Sequence, residues 1–109
     1  MTHTVESVAV VQLDRAARYG KQLVSHLGRR TGSDWSQDDG SGWIDLDGGR
    51  ATVAVENDGL ALRLEAPHED LDRLENVLGG HLARFVAVPA FSVVWTRSDN
   101  TAGSRQQNA

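Results

Sequence analysis

The sequence predicts a two-layer α+β fold, in which two helices pack on one face of an antiparallel sheet of five or six strands in the order β-α-β-β-β-β-α-β. Three observations predict it. Apolar residues recur at helical spacing in two stretches: Ala16, Tyr19, Leu23 and Leu27, then Leu71, Leu74, Leu78, Leu82 and Phe85. Between them, from Ser33 to Ala66, the period drops from about 3.6 to about 2. Three turns that tolerate positive φ divide that middle region: Asp38-Asp39-Gly40, Asp47-Gly48-Gly49 and Asn57-Asp58-Gly59.

Taken in order, Val5 to Leu13 reads as a strand, because Val8, Ala9, Val10 and Val11 are consecutive apolar residues rich in β-branching. Val8 and Val10 point opposite to Ala9 and Val11, so the first strand has an apolar residue on each face. Asp14 is the expected cap of the first helix, its carboxylate accepting from the free N–H groups of the first turn. That helix runs to about Arg30 and stops at Thr31-Gly32. A four-stranded meander follows, with Ala51, Val53 and Val55, then Leu60, Leu62 and Leu64, on its apolar face. Pro67 opens the second helix where its missing N–H does no harm, and Glu69, Asp70 and Asp72 suit the positive end of the helix dipole. This helix ends near Phe85. Beyond Pro89, Phe91, Val93 and Trp95 alternate with Ser92, Val94 and Thr96 in a last strand. Residues 1–97 thus form one domain. The tail 98–109, whose only apolar residues are alanines, is expected to be disordered.

Length and composition narrow the function. At 109 residues, with 39% hydrophobic and 24% charged residues, the chain is large enough for one core and lies in the globular range. A net charge of -4 argues against a general nucleic-acid binder. The charge is uneven, however: Arg15, Arg18, Lys21, Arg29 and Arg30 lie in the first helical stretch, which leaves room for a local anion site. Cysteine is absent, which removes disulfides, thiolate chemistry and cysteine-ligated zinc. No segment approaches the roughly 18 apolar residues of a membrane span, and residues 1–6 lack the pattern of a secretory leader, so the expected location is cytoplasmic with no membrane partner.

The two helices end alike, in Ser25-His26-Leu27-Gly28-Arg29 and Gly80-His81-Leu82-Ala83-Arg84. Two imidazoles therefore sit at matching helix ends. Arg18, Gln22 and His26 are successive turns apart and project along one side of the first helix. Trp35 and Trp43 flank the polar loop Ser36 to Gly42 and offer a lip for a flat ligand. Tyr19, His81, Arg84 and Trp95 read as structural: His81 falls in the series Leu74, Leu78, His81, Phe85, and Arg84 can reach a helix-terminal carbonyl or an acid. Catalytic patterns are missing; there is no His-Glu-x-x-His, no Gly-x-Ser-x-Gly and no phosphate-cradling glycine loop. A two-histidine metal site with Asp or Glu is geometrically possible if the helix ends converge, but the spacing between His26 and His81 is not diagnostic, and no metal and no cofactor are expected.

The string Asp14-x-x-Ala17-Arg18-Tyr19-x-x-Gln22-Leu23-x-x-His26, followed by His81-Leu82-x-Arg84-Phe85 and by Trp95, resembles a bacterial family known as domain of unknown function 2218. The resemblance covers nearly the whole chain apart from the tail. Relatives often continue the first motif with a second histidine and a lysine, where Arg29 and Arg30 stand here. In some relatives the domain is joined to flavoproteins that resemble siderophore-interacting reductases, so the resemblance implies a link to iron handling. The resulting expectation is a non-catalytic binder of a small anionic or aromatic ligand, held by Arg18, Gln22 and His26 and covered by Trp35 and Trp43. The alternative is an interaction or homodimerisation module that uses the outer face of the sheet.

Overall fold

The computed structural model describes residues 4–29, 31–86, 88 and 91–107. Along them run β1 (Thr4–Gln12), α1 (Ala16–Leu27), β2 (Ser33–Ser36), β3 (Ser41–Leu46), β4 (Gly49–Glu56), β5 (Gly59–Pro67), α2 (His68–Phe85), β6 (Ser92–Arg97) and β7 (Ala102–Gln107). The strands form one antiparallel sheet in the order β2-β3-β4-β5-β1-β6-β7. The fold is α+β with two helices, as the periodicity predicts, but the sheet has seven strands where five or six were expected.

The additional strand is β7, and it lies in the stretch expected to be disordered. Its backbone pairs with β6, from Ser92 opposite Gln107 to Thr96 opposite Ala102. Composition misleads here because β7 is fastened by polar side chains, as described below, and so carries no apolar alternation. Residues 108–109, like Arg30 and Pro89, lie outside the described residues.

Register places the core. β1 pairs with β5 along its whole length, from Thr4 opposite Pro67 to Gln12 opposite Gly59. This aligns Val5, Ala9 and Val11 with Leu60, Leu62, Leu64 and Ala66 on the inner face, all of them buried. Ala51, Val53, Ile44, Val93 and Trp95 extend that face to either side. Each helix carries the chain from one part of the sheet to another and covers the half it crosses: α1 lies on β2, β3 and β4, and α2 on β7, β5, β1 and β6. Leu23 and Val24 of α1 and Leu71, Leu74, Leu78 and Leu82 of α2 complete a single core. The outer face is left open, with Val10 61% and Val94 54% exposed on neighbouring strands.

Two of the expected turns are tight hairpins. Asn57 (φ 42°) and Asp58 (φ 65°) both take left-handed conformations between Glu56 and Gly59, the geometry of a two-residue hairpin that follows the twist of its strands. Gly48 does the same with φ 99° between Leu46 and Gly49.

The start of α1 differs from expectation. Asp14 does not cap it; the capping position is Arg15, left-handed at φ 59°, with no side-chain cap. Leu13 and Ala16 are both buried on either side of this turn, so the chain must reverse between them, and Arg15 makes the reversal. α1 also stops at Leu27 rather than near Arg30, with the Gly28 N–H closing on the Val24 carbonyl. α2 ends at Phe85, as predicted, but Pro67 is its extended N-cap and the last residue of β5 rather than its first helical residue.

Two adjacent glycines in α2 have opposite roles. A Cβ on Gly79 would lie 1.9 Å from Gln106 Oε1, whereas a Cβ on Gly80 meets nothing within 4 Å. Gly80→Ala is therefore expected to stabilise the protein by up to about 1 kcal/mol, the ordinary gain in helix propensity. Gly79→Ala should instead destabilise it by about 1–3 kcal/mol, because overpacking pushes Gln106 off β7. Urea denaturation of the two variants separates these outcomes, and equal shifts in the same direction would refute the close approach.

Candidate functional site

Helical periodicity puts Gln22 and His26 on the exposed edge of α1, one turn apart, and stacks Val77, His81 and Phe85 along one side of α2. Where the last turn of α1 meets α2, these edges converge. The His26 and His81 rings have centroids 5.2 Å apart, tilted by 45°. Phe85 stands edge-on to His26, with centroids 5.5 Å apart and planes at 89°. His81 is half-buried and its Nδ1–H donates to the Val77 carbonyl at 2.7 Å. A carbonyl can only accept, so this bond fixes the tautomer and leaves Nε2 with its lone pair. Neither ring nitrogen of His26 makes a hydrogen bond among the described residues.

A hollow that takes Leu27 from α1 and Arg73, Leu74 and Val77 from α2, but neither histidine, is lined also by Thr31, Leu46 and Asp47. Its floor is aliphatic. On its rim, Arg73 Nη2 donates to the Asp47 carbonyl at 2.8 Å and to Asp70 Oδ1 at 3.2 Å. The outward side of α1 presents Arg18, Lys21, Gln22 and His26, with Arg29 just beyond its end, all exposed, and no acidic residue stands between Asp14 and Asp34. This face is positive although the protein as a whole is negative.

The five residues expected to line one pocket do not do so. Arg18, Gln22 and His26 share the exposed edge of α1, but the tryptophans are elsewhere. Trp35 lies opposite Gly42 on the inner face and packs beneath α1, where a Cβ on Gly20 would lie 2.9 Å from its ring. Trp43 is one residue further along β3 and points outward, with the Arg50 guanidinium 4.6 Å from its ring centroid. The hollow around Trp43 also contains Asp34, Asp39 and Glu65, which outnumber Arg50 and disfavour an anion there. Strand alternation is the reason: two tryptophans separated by a hairpin share a face only when the register aligns them, and here it sets Trp43 opposite Asp34. Among the residues expected to be structural, Tyr19 packs half-buried against the core and Trp95 is buried. Arg84 is exposed and makes no hydrogen bond or ion pair among the described residues.

The model of the family described as "Uncharacterized protein conserved in bacteria (DUF2218)" matches residues 8–96. The chain belongs to this family. Both helices and the His26–His81 seam lie within the matched stretch. The fold is similar to the NMR structure of PA4090 from Pseudomonas aeruginosa, with a TM-score of 0.69 and 25% identity over 95% of this chain and 100% of that one. No curated protein matches.

The family match takes in Glu75 but not Ser7, Arg97 or Ser104, its partners in a buried polar cluster that sequence reading missed. Glu75 of α2 is wholly buried. Its Oε2 accepts from Ser7 Oγ at 2.6 Å and Arg97 Nε at 2.9 Å; its Oε1 accepts from Arg97 Nη2 at 2.9 Å, Ser104 N at 3.0 Å and Ser104 Oγ at 2.7 Å. Arg97 Nη2 also donates to Asp72 at 2.6 Å. Burial pushes the Glu75 carboxyl up, but the hydrogen bonds from Arg97, Ser7 and Ser104 together outweigh it and hold it below the ordinary carboxylate value. Beside it, Trp95 Nε1 donates to Gln106 Oε1 at 2.6 Å, and Gln106 Nε2 donates to Asn76 and Ser104. With both oxygens fully engaged, Glu75 has no lone pair to offer a substrate. The cluster is a clamp joining α2, β1, β6 and β7. A signal for it exists in the sequence: Ser7, Glu75 and Arg97 each occupy a position that the apolar periodicity assigns to the core.

A second tie holds the β6–β7 turn to the start of α2. Asp99 accepts from Thr101 through both N–H and hydroxyl, and from His68 Nδ1 at 2.9 Å. The Thr101 hydrogen bonds, helped by His68, lower the Asp99 carboxyl to about 2.

Proposed function

We propose that this protein is a non-catalytic binding domain whose ligand is small, anionic and partly aromatic or apolar, and that its site is the α1–α2 seam. The observation that carries this reading is the convergence of His26 and His81, distant in sequence, with Phe85 at their edge and His26 exposed. The positive outer side of α1 favours an anionic group there. The aliphatic floor of Leu27, Leu46, Leu74 and Val77 suits the ligand's apolar part, and guanidinium or imidazolium hydrogen bonds supply orientation. Among the described residues the seam contains no nucleophile held against a base, which argues for binding over turnover. Catecholates combine a ring with ionisable oxygens, so they suit this site and agree with the link to iron handling that the family resemblance implies.

The test is an NMR titration of labelled protein with catecholates, haem and simple aromatic carboxylates, because the tryptophans lie away from the seam and make poor reporters. Saturable shifts centred on Gln22, His26, His81 and Phe85 are expected. His26→Ala should weaken binding by about tenfold or more, corresponding to one lost hydrogen bond to a charged partner at ~1.5–3 kcal/mol. A second reading is favoured by the exposed Val10 and Val94 on the open face of the sheet, which suit self-association. The absence of saturable shifts with every ligand, together with a concentration-dependent dimer in light scattering, would decide for it.

A further inference from the structure

We propose that His26 and His81 together chelate one divalent transition-metal ion of the imidazole-preferring class, Cu2+, Ni2+ or Zn2+. Two imidazoles that bind one ion through nitrogen at ~2.0–2.1 Å and a tetrahedral angle have ring centroids about 5 Å apart. The observed separation is 5.2 Å. His81 is already oriented as metal-bound histidines are, with Nδ1–H donating to the Val77 carbonyl at 2.7 Å and Nε2 free to ligate. His26 has no competing hydrogen bond among the described residues, and Phe85 stands perpendicular to its ring and restricts it. Because His26 is exposed and His81 half-buried, an ion reaches both without disturbing the core.

The donor set selects the metal. Nitrogen ligands without carboxylates disfavour Mg2+ and Ca2+, which require oxygen. Among the described residues no third histidine or carboxylate completes a metal-binding group. Two protein ligands leave coordination positions open to water or to an oxygen donor of a bound anion, and the positive side of α1 lies beside them. The seam would thus bind the metal alone or a metal–chelate complex.

Calorimetric titration of the full chain with ZnCl2 and NiCl2, supported by Cu2+ electron paramagnetic resonance, tests this. All measurements use a His3→Ala background, so that a histidine near the amino terminus cannot contribute. One ion per chain and a spectrum with two equivalent nitrogen donors are expected. His26→Ala and His81→Ala should each weaken binding by at least the roughly 10–100-fold that loss of an outer-sphere partner alone costs, while His68→Ala should leave it unchanged. Should His81→Ala fail to fold, His26→Ala decides, since that side chain is exposed. Absence of binding, or binding that survives His26→Ala, overturns the proposal. It rests on the same ring convergence as the binding seam, but metal alone is titrated, so failure of the organic ligands leaves it standing and failure of the metal leaves the seam reading intact.

Discussion

Arg97→Met is expected to destabilise the domain by about 3–5 kcal/mol, because it leaves the Glu75 carboxylate buried without a balancing cation. Asp72 cannot compensate, being itself acidic. The double variant Arg97→Met/Glu75→Leu should recover most of the loss, since replacing a whole buried pair with apolar groups is often neutral or stabilising. Urea denaturation measures both, and a double variant no better than the single one would show that Arg97 acts through packing rather than charge. The clamp also sets an acid limit. Because folding depresses the Glu75 carboxyl below its ordinary value of 4.5, its contribution is fully present above that value and is lost as pH falls through the lower folded-state value. Wild-type stability should therefore decline below about pH 4.5 more steeply than that of the double variant.

Truncation after Asn100 is the second large effect, with an expected loss of at least about 3 kcal/mol. Removing β7 takes away both Ser104 hydrogen bonds to Glu75 and the Gln106 acceptor of Trp95. A buried polar group left unsatisfied costs ~1–3 kcal/mol; Trp95 Nε1 loses its acceptor and Glu75 keeps only its donors from Ser7 and Arg97, while apolar surface of Val93 and Trp95 is uncovered as well. Thermal denaturation followed by circular dichroism provides the measurement. A shortened chain melting at the wild-type temperature would show that β7 is an ornament on a finished domain.

The paired imidazoles illustrate how far residue spacing reaches. His26 and His81 stand out in the sequence because similar motifs close both helices. Their approach depends on how α1 and α2 lie across the sheet, and hence on the strand order, which no local pattern contains. The tryptophan pair failed for the related reason that one step of register exchanges the two faces of a strand. Trp35 and Trp43 are close in sequence and yet serve the core and the open face respectively.

By itself the sequence determined the α+β class, both helices, the four-strand meander and the inward apolar set. These follow from periods of about 3.6 and 2 and from turn residues, all of which act within a few positions of the chain. Only the tertiary structure decided the seventh strand, the Glu75–Arg97 clamp and the seam between His26 and His81. Each depends on polar or aromatic groups from separate elements meeting in space, and the free energy of such a meeting comes from the partner and its burial rather than from either residue's own neighbours in sequence.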